Sequence, residues 1–72
     1  MTIYVLSLND DGIYAAYATF SQAKATLWKL YCNDIDEKIR LRYEDEDKKT
    51  LEEGYIIDYG FITETELVQE KI

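Results

Sequence analysis

The residues of this chain that are best suited to chemistry are carboxylates, and most of them lie in its second half. Residues 44–70 contain ten Asp or Glu and only two Lys. Such a set can act as general acid and base, bind a divalent cation, or meet a cationic partner. The predicted acidic surface comprises Glu44, Asp45, Glu46, Asp47, Glu52, Glu53, Asp58, Glu64 and Glu66.

Catalysis is the least favoured use of these carboxylates. The chain contains no His, which removes the usual nucleophilic dyads and the commonest general base. Its three glycines are isolated at positions 12, 54 and 60, so no phosphate-binding loop is present. A run of acids at 44–47 is typical of a solvated face, whereas a catalytic pair requires a cleft that separates two pKa values. We therefore expect a non-enzymatic protein with no catalytic residue.

Two segments offer oxygen ligands for a metal ion. They are Asn9-Asp10-Asp11-Gly12 and Asp34-x-Asp36-Glu37, and neither has the twelve-residue spacing of an EF-hand. Asn, Asp and Gly also suit the first segment as a hairpin turn for backbone reasons alone. The prediction is no metal site and no cofactor. Cys32, the single cysteine, is expected to be a buried thiol that acts as a small hydrophobe.

The composition indicates one folded domain over residues 1–72. Hydrophobic residues make up 47% of the chain and include seven Tyr, which argues against an acidic disordered chain. One cysteine permits no internal disulfide, the N-terminus does not resemble a secretory leader, and no apolar run approaches the roughly 18 residues of a membrane span. We expect a cytoplasmic protein without a membrane partner.

The net charge of −7 is distributed unevenly along the chain. Residues 1–33 are neutral overall, and residues 34–72 carry thirteen acids against six bases. This balance disfavours direct binding of nucleic acid, which needs clustered Lys and Arg. Two interpretations stay open. The acids solubilise the protein and protect an edge strand, or they take the place of phosphates and enter the basic groove of a nucleic-acid-binding protein.

The pattern of apolar residues predicts strands at 2–8 and 13–20, joined by the turn at 9–12, with the second strand central in the sheet. Ser21 is the expected N-cap of a helix over 22–31, with Ala23, Leu27 and Leu30 on its apolar stripe. Trp28 beside this stripe is expected to cover the core.

In the second half, alternation predicts a half-exposed strand over 38–43 with Ile39, Leu41 and Tyr43 inward. A solvated turn at 44–49, a helical turn at 50–53, strands at 55–59 and 61–68 and a frayed tail at 69–72 follow. The predicted fold class is α+β, a small antiparallel sheet of four or five strands in β-β-α-β-β order with one helix on one face.

The segment from Ile3 to Tyr31 resembles small proteins that are common in bacteriophages and prophages. The similarity lies in a hairpin that ends in an aromatic residue and leads into the helix start Phe20-Ser21-Gln22-Ala23-Lys24-Ala25. The strand Tyr55-Ile56-Ile57-Asp58-Tyr59 is similar in style. Some small acidic phage proteins inhibit host defence nucleases, as anti-CRISPR and antirestriction proteins do. The resemblance therefore implies an inhibitor.

The leading functional hypothesis is an acidic inhibitor that binds a host protein and blocks its basic, nucleic-acid-binding surface. The alternative is a structural or assembly module that forms a homodimer through the apolar hairpin or an exposed strand. A third hypothesis is a small-molecule-sensing domain whose aromatic side chains line a pocket between helix and sheet.

Overall fold

The computed structural model describes residues 1–67 and has an α+β fold of four antiparallel strands and two helices. The predicted class and the antiparallel sheet are confirmed, whereas the order β-β-α-α-β-β differs from the prediction by a second helix. The elements are β1 (Thr2–Leu8), β2 (Gly12–Tyr17), α1 (Phe20–Asp34), α2 (Glu37–Leu51), β3 (Tyr55–Ile56) and β4 (Gly60–Glu66).

The sheet has the strand order β2-β1-β4-β3, so β1 and β4 are its central strands. They pair antiparallel over their full lengths, from Thr2 opposite Glu66 to Leu8 opposite Gly60. The prediction that the second strand is central was therefore wrong. The strand β2 lies at the edge of the sheet, and its apolar residue Ile13 is 76% exposed. The predicted turn at 9–12 is present, and Gly12 adopts φ 76° there, a left-handed conformation that glycine tolerates best.

The largest correction concerns residues 37–51, which form the helix α2. The strand predicted at 38–43 and the turn predicted at 44–49 were wrong. Ile39, Leu41 and Tyr43 do alternate, but Ile39, Tyr43 and Leu51 also recur at multiples of four, which is a helical spacing. The segment is rich in Glu, Lys, Arg and Leu, which are strong helix formers. Leu41, expected to point inward, is 59% exposed.

The N-cap of α1 is Thr19, two residues before the predicted cap. The Thr19 hydroxyl accepts the Gln22 backbone N–H at 3.2 Å, and Thr19 itself is extended with φ −130°. Ser21 lies inside the helix, so the prediction of Ser21 as N-cap was wrong. At the other end, the Ile35 N–H donates to the Tyr31 carbonyl at 3.0 Å and closes the last turn.

The core lies between α1 and one face of the sheet. Ala23, Leu27 and Tyr31 are buried at every fourth position of α1. Ala23 and Leu27 belong to the predicted apolar stripe, and their burial agrees with that prediction. They face Leu6 and Leu8, which alternate on β1 and therefore share one face. The chain buries its apolar surface on this face, which places α1 across the sheet and α2 beside α1 and β3.

The second half of the sheet is shorter than predicted. The strand expected over 55–59 is limited to β3, because Asp58 adopts φ 62° and turns the chain. Gly60 begins β4, where a Cβ atom would lie 2.8 Å from the Ser7 carbonyl oxygen of the paired strand. The predictions for residues 68–72 lie outside the described residues. Between residues 1 and 67, neither helix has the length and apolarity needed to cross a membrane.

The N-cap of α2 provides a first test of this fold. The Asp36 carboxylate accepts the Lys38 backbone N–H at 2.8 Å. Asp36→Ala removes this acceptor and is expected to lower the free energy of unfolding by about 1 kcal/mol in urea denaturation. Asp36→Ser keeps a capping oxygen without the charge and should retain most of the stability. An equal loss for both substitutions would contradict a capping role.

Candidate functional site

A row of three aromatic side chains connects the two helices to the turn between β3 and β4. The Trp28 and Tyr31 rings have centroids 5.5 Å apart, and the Tyr31 and Tyr59 rings 5.4 Å apart. The Tyr31 hydroxyl donates a hydrogen bond to the Asp47 carboxylate of α2. The Tyr59 hydroxyl donates to the carboxylate of Asp34, at the end of α1, at 2.5 Å. Each tyrosine therefore joins two elements through a carboxylate.

Both hydroxyls are held in the protonated form. Burial raises the pKa of Tyr31 well above its ordinary value, and the hydrogen bond to Asp47 and the charge of Asp47 raise it further, while Arg40 opposes them. Burial also raises the pKa of Tyr59, followed by the hydrogen bond to Asp34 and the charges of Asp34 and Asp11. At neutral pH both hydroxyls are therefore protonated and donate to their carboxylates.

A groove of about 410 Å³ opens beside this aromatic row, between α2 and the turn that follows β3. Ile39 of α2 is 53% exposed and Ile57 of the turn is 59% exposed, so the groove presents apolar side chains to solvent. We call it the apolar groove. Its lining residues are Tyr31, Ile35, Ile39, Tyr43, Glu46, Asp47, Ile57, Asp58 and Tyr59.

A second groove of about 260 Å³ adjoins the first and shares Ile35, Asp58 and Tyr59 with it. Its carboxylates come from the β1–β2 turn, the end of α1 and the β3–β4 turn. We call these four residues the acidic end: Asp10, Asp11, Asp34 and Asp58. With Glu46 and Asp47, the two linings contain six acids and no Lys or Arg.

The helix α1 increases the negative potential at the acidic end. Its last turn contains no basic residue, and its last residue is Asp34. The carboxyl end of a helix carries partial negative charge and is normally stabilised by a cation, so an acid in this position is unfavourable. Sites that break such a local rule are frequently functional. The acidic end is therefore suited to receive positive charge from outside the chain.

Two backbone hydrogen bonds hold the turns of the acidic end together. The Asn9 N–H donates to the Tyr59 carbonyl at 2.8 Å, which joins the β1–β2 turn to the β3–β4 turn. The Tyr59 N–H donates to the Ile56 carbonyl at 3.0 Å across the left-handed Asp58. Asp tolerates this conformation better than most residues. The turns that contain Asp10, Asp11 and Asp58 are consequently held beside each other.

The predicted acidic surface is divided among several places. Glu44 is paired within α2, 3.0 Å from Lys48 and 4.0 Å from Arg40. Glu52 lies 2.9 Å from Lys24. The helix α2 as a whole contains five acids and five bases, so the run at 44–47 carries no excess charge in its own element.

The remaining members lie in four separate environments. Asp47 is only 7% exposed and lies under Tyr31. Asp58 belongs to the acidic end, whereas Glu64 and Glu66 lie toward the opposite end of β4, about 13 and 20 Å along the strand from Gly60. Glu64 and Glu66 do share a face, as predicted, and Glu66 lies 3.3 Å from the chain's amino terminus. The other exposed members are Asp45, Glu46 and Glu53.

Sequence reasoning missed part of this site. The sequence pattern indicates only turn or metal-ligand roles for Asp10, Asp11 and Asp34, and it predicts a strand at Ile39. The spacing of four between Ile35, Ile39 and Tyr43 was the available signal for the groove. Cys32 and Trp28 are half-buried against the core. Among residues 1–67, no cluster of three or more potential ligands is arranged to hold a metal ion.

Comparison with known proteins gives no identity for this fold and site. No protein-family model, no curated protein and no solved structure matches the chain.

Proposed function

We propose that this chain is a non-enzymatic protein-binding module that covers a basic, nucleic-acid-binding surface on another protein. The observation that supports this proposal is the lining of the two adjoining grooves, which contains six acids and no base. A surface built to receive phosphates is complementary to such a site, and long-range attraction would speed the encounter. The resemblance to small phage proteins suggests that the module acts as an inhibitor.

The proposed binding surface is the acidic end and not the acidic run of α2. Glu44 and Glu52 are already paired with Lys or Arg of the same chain, so they offer a partner little unpaired charge. Asp58 belongs to both sets and remains a binding residue in the proposal. Asp10, Asp11 and Asp34 join it from neighbouring elements.

Amide substitutions test the location of the surface. In the acidic-end variant Asp10, Asp11, Asp34 and Asp58 are all changed to Asn, which suits turns, tolerates the left-handed position 58 and still accepts the Tyr59 hydroxyl. Immobilised protein is used to capture partners from a bacterial lysate, and bound proteins are eluted with duplex DNA. We expect wild type to retain a protein that DNA elutes, and the acidic-end variant to lose it.

A control variant removes the same charge elsewhere. It carries Asp45→Asn, Glu53→Gln, Glu64→Gln and Glu66→Gln, all at exposed carboxylates of the predicted acidic surface. This variant should retain the partner, with binding that weakens as salt increases. The proposal would be contradicted if both variants still captured the partner, or if duplex DNA did not elute it. Loss of the partner only in the control variant would place the binding surface at the exposed acids predicted from the sequence.

Self-association is a second candidate function, favoured by the sheet face opposite α1. Phe61 of β4 pairs with Ser7 on this face and is 45% exposed, and Ile13 opposite Ser7 on β2 is exposed as well. Exposed apolar surface of this kind is common at interfaces between copies of a chain. Sedimentation over a wide concentration range tests it, and a monomer throughout would exclude a homodimer.

A further inference from the structure

We infer that the apolar groove binds a single amphipathic helix of a partner protein, with apolar residues along one stripe and Lys or Arg beside it. This inference rests on the proposed function, because it specifies which part of a basic partner enters the site. The apolar groove receives the apolar stripe and the acidic end receives the flanking cations. The occupant is thus a cationic amphipathic segment and not a uniformly charged surface.

The apolar groove is the first support for this inference. Ile39 of α2 and Ile57 of the β3–β4 turn both line it, and each is more than half exposed. Charge-based contact with phosphate-binding residues would leave these side chains in water. A volume of about 410 Å³ accommodates a few apolar side chains from one partner element.

The backbone around the groove favours a helix over an added strand. A peptide that extends a sheet needs a long free edge for main-chain hydrogen bonds. The adjacent edge strand is β3, which contains only Tyr55 and Ile56. Recognition must therefore proceed mainly through side chains, as when an amphipathic helix lies in an apolar groove.

Charge complementarity selects the polar residues of the occupant. Glu46 and Asp47 line the apolar groove, and the acidic end continues directly from it through Asp58. Asp47 is buried, and the ion pairs of residues 1–67 do not include it. A cation from the partner beside this wall would gain from the low local dielectric. An acidic or neutral helix would have no cation to pair with these carboxylates.

The test uses two synthetic peptides of Leu and Lys, about fifteen residues long, which is roughly four helical turns. One has Leu at helical spacing, and the other has the same composition in a permuted order without an apolar stripe. Binding of each labelled peptide to the full chain is followed by fluorescence anisotropy. We expect the amphipathic peptide to bind at least about tenfold more tightly than the permuted one.

Groove variants locate the binding. Ile39→Ser and Ile57→Ser together remove exposed apolar side chains from the groove and should weaken binding of the amphipathic peptide about tenfold or more. Leu41→Ser is the matched control, because Leu41 is equally exposed on α2 but does not line the groove. It should bind as wild type does. The acidic-end variant should also lose affinity.

The outcomes separate this inference from the proposed function. Equal binding of the two peptides, or unchanged binding in the Ile39 and Ile57 variant, would overturn the helix site. If the acidic-end variant still lost its DNA-competed partner in that case, the proposed function would stand as a purely charge-based contact. If the peptide bound in the groove but no captured protein were eluted by DNA, the helix site would be supported and the proposed function contradicted.

Discussion

Replacing Leu27 by Ala is expected to cost this protein much of its stability. Leu27 has no exposed surface and lies at the centre of the core, beside Leu8 and Gly60. Truncating a fully buried Leu removes its transfer free energy and leaves a cavity, at a cost of about 2–5 kcal/mol. A chain of this length is expected to have only about 4–11 kcal/mol of stability in total.

The measurement is equilibrium unfolding in urea, followed by circular dichroism. Leu41→Ala is the control, because it makes the same chemical change on a helix at a residue that is 59% exposed. Its effect should be within about 0.5 kcal/mol, as for most surface substitutions. Similar losses for the two variants would mean that α1 does not pack on the sheet as described.

The second large effect is expected for Asp47→Ala, which removes the acceptor of the buried Tyr31 hydroxyl. A buried donor left without a partner costs about 1–3 kcal/mol. Asp45→Ala, two residues earlier on the exposed side of α2, should change the free energy of unfolding by about 0.5 kcal/mol or less. Because Asp47 is structural in this way, it is unsuitable for charge reversal in binding tests.

A double-mutant cycle checks that the pair is the cause. Tyr31→Phe removes the donor, and the variant with both Tyr31→Phe and Asp47→Ala has neither partner. We expect the double variant to lose about 1 kcal/mol less than the two single losses combined, since residues in contact are coupled. Additive losses would show that the hydrogen bond does not contribute to stability.

The pH dependence of the free energy of unfolding tests the Tyr31–Asp47 pair independently. The pKa of Tyr31 is raised in the folded protein, so the folded state holds this proton more tightly than the unfolded state does. The stabilisation is complete below pH about 10, the ordinary tyrosine pKa, and is lost as the pH rises above it. Urea titrations at increasing pH should show this decline, and Tyr31→Phe should reduce it, while Tyr59 continues to contribute to it.

Half of the fold follows from local sequence signals. The turn Asn9-Asp10-Asp11-Gly12 between two apolar runs predicts β1 and β2, and the stripe of Ala23 and Leu27 predicts the buried side of α1. These signals agree with the structure because local preference and core packing require the same conformation there. The position of β2 at the edge follows instead from the long-range pairing of β1 with β4.

The region 37–51 shows why the remainder was not predicted. Alternation over Ile39, Leu41 and Tyr43 competes with a helical spacing that extends from Ile39 to Leu51, and six residues cannot distinguish the two periods. The cap at Asp36 and the pairing of Glu44 with Lys48 favour the helix. Packing of Leu51 and Asp47 against the rest of the chain then excludes the strand.

For the carboxylates too, some properties follow from the sequence and others only from the tertiary structure. The sequence by itself determines their number, the net charge of −7, and the absence of histidine and of a phosphate loop. Which acids are unpaired is decided only by the tertiary structure. Formation of α2 pairs Glu44 with Arg40 and Lys48, each one turn away, because i, i+4 neighbours meet on a helix. Pairing of β1 with β4 brings the turns of Asp10, Asp11 and Asp58 together, because antiparallel strands place these turns at a common end, and α1 ends beside them at Asp34.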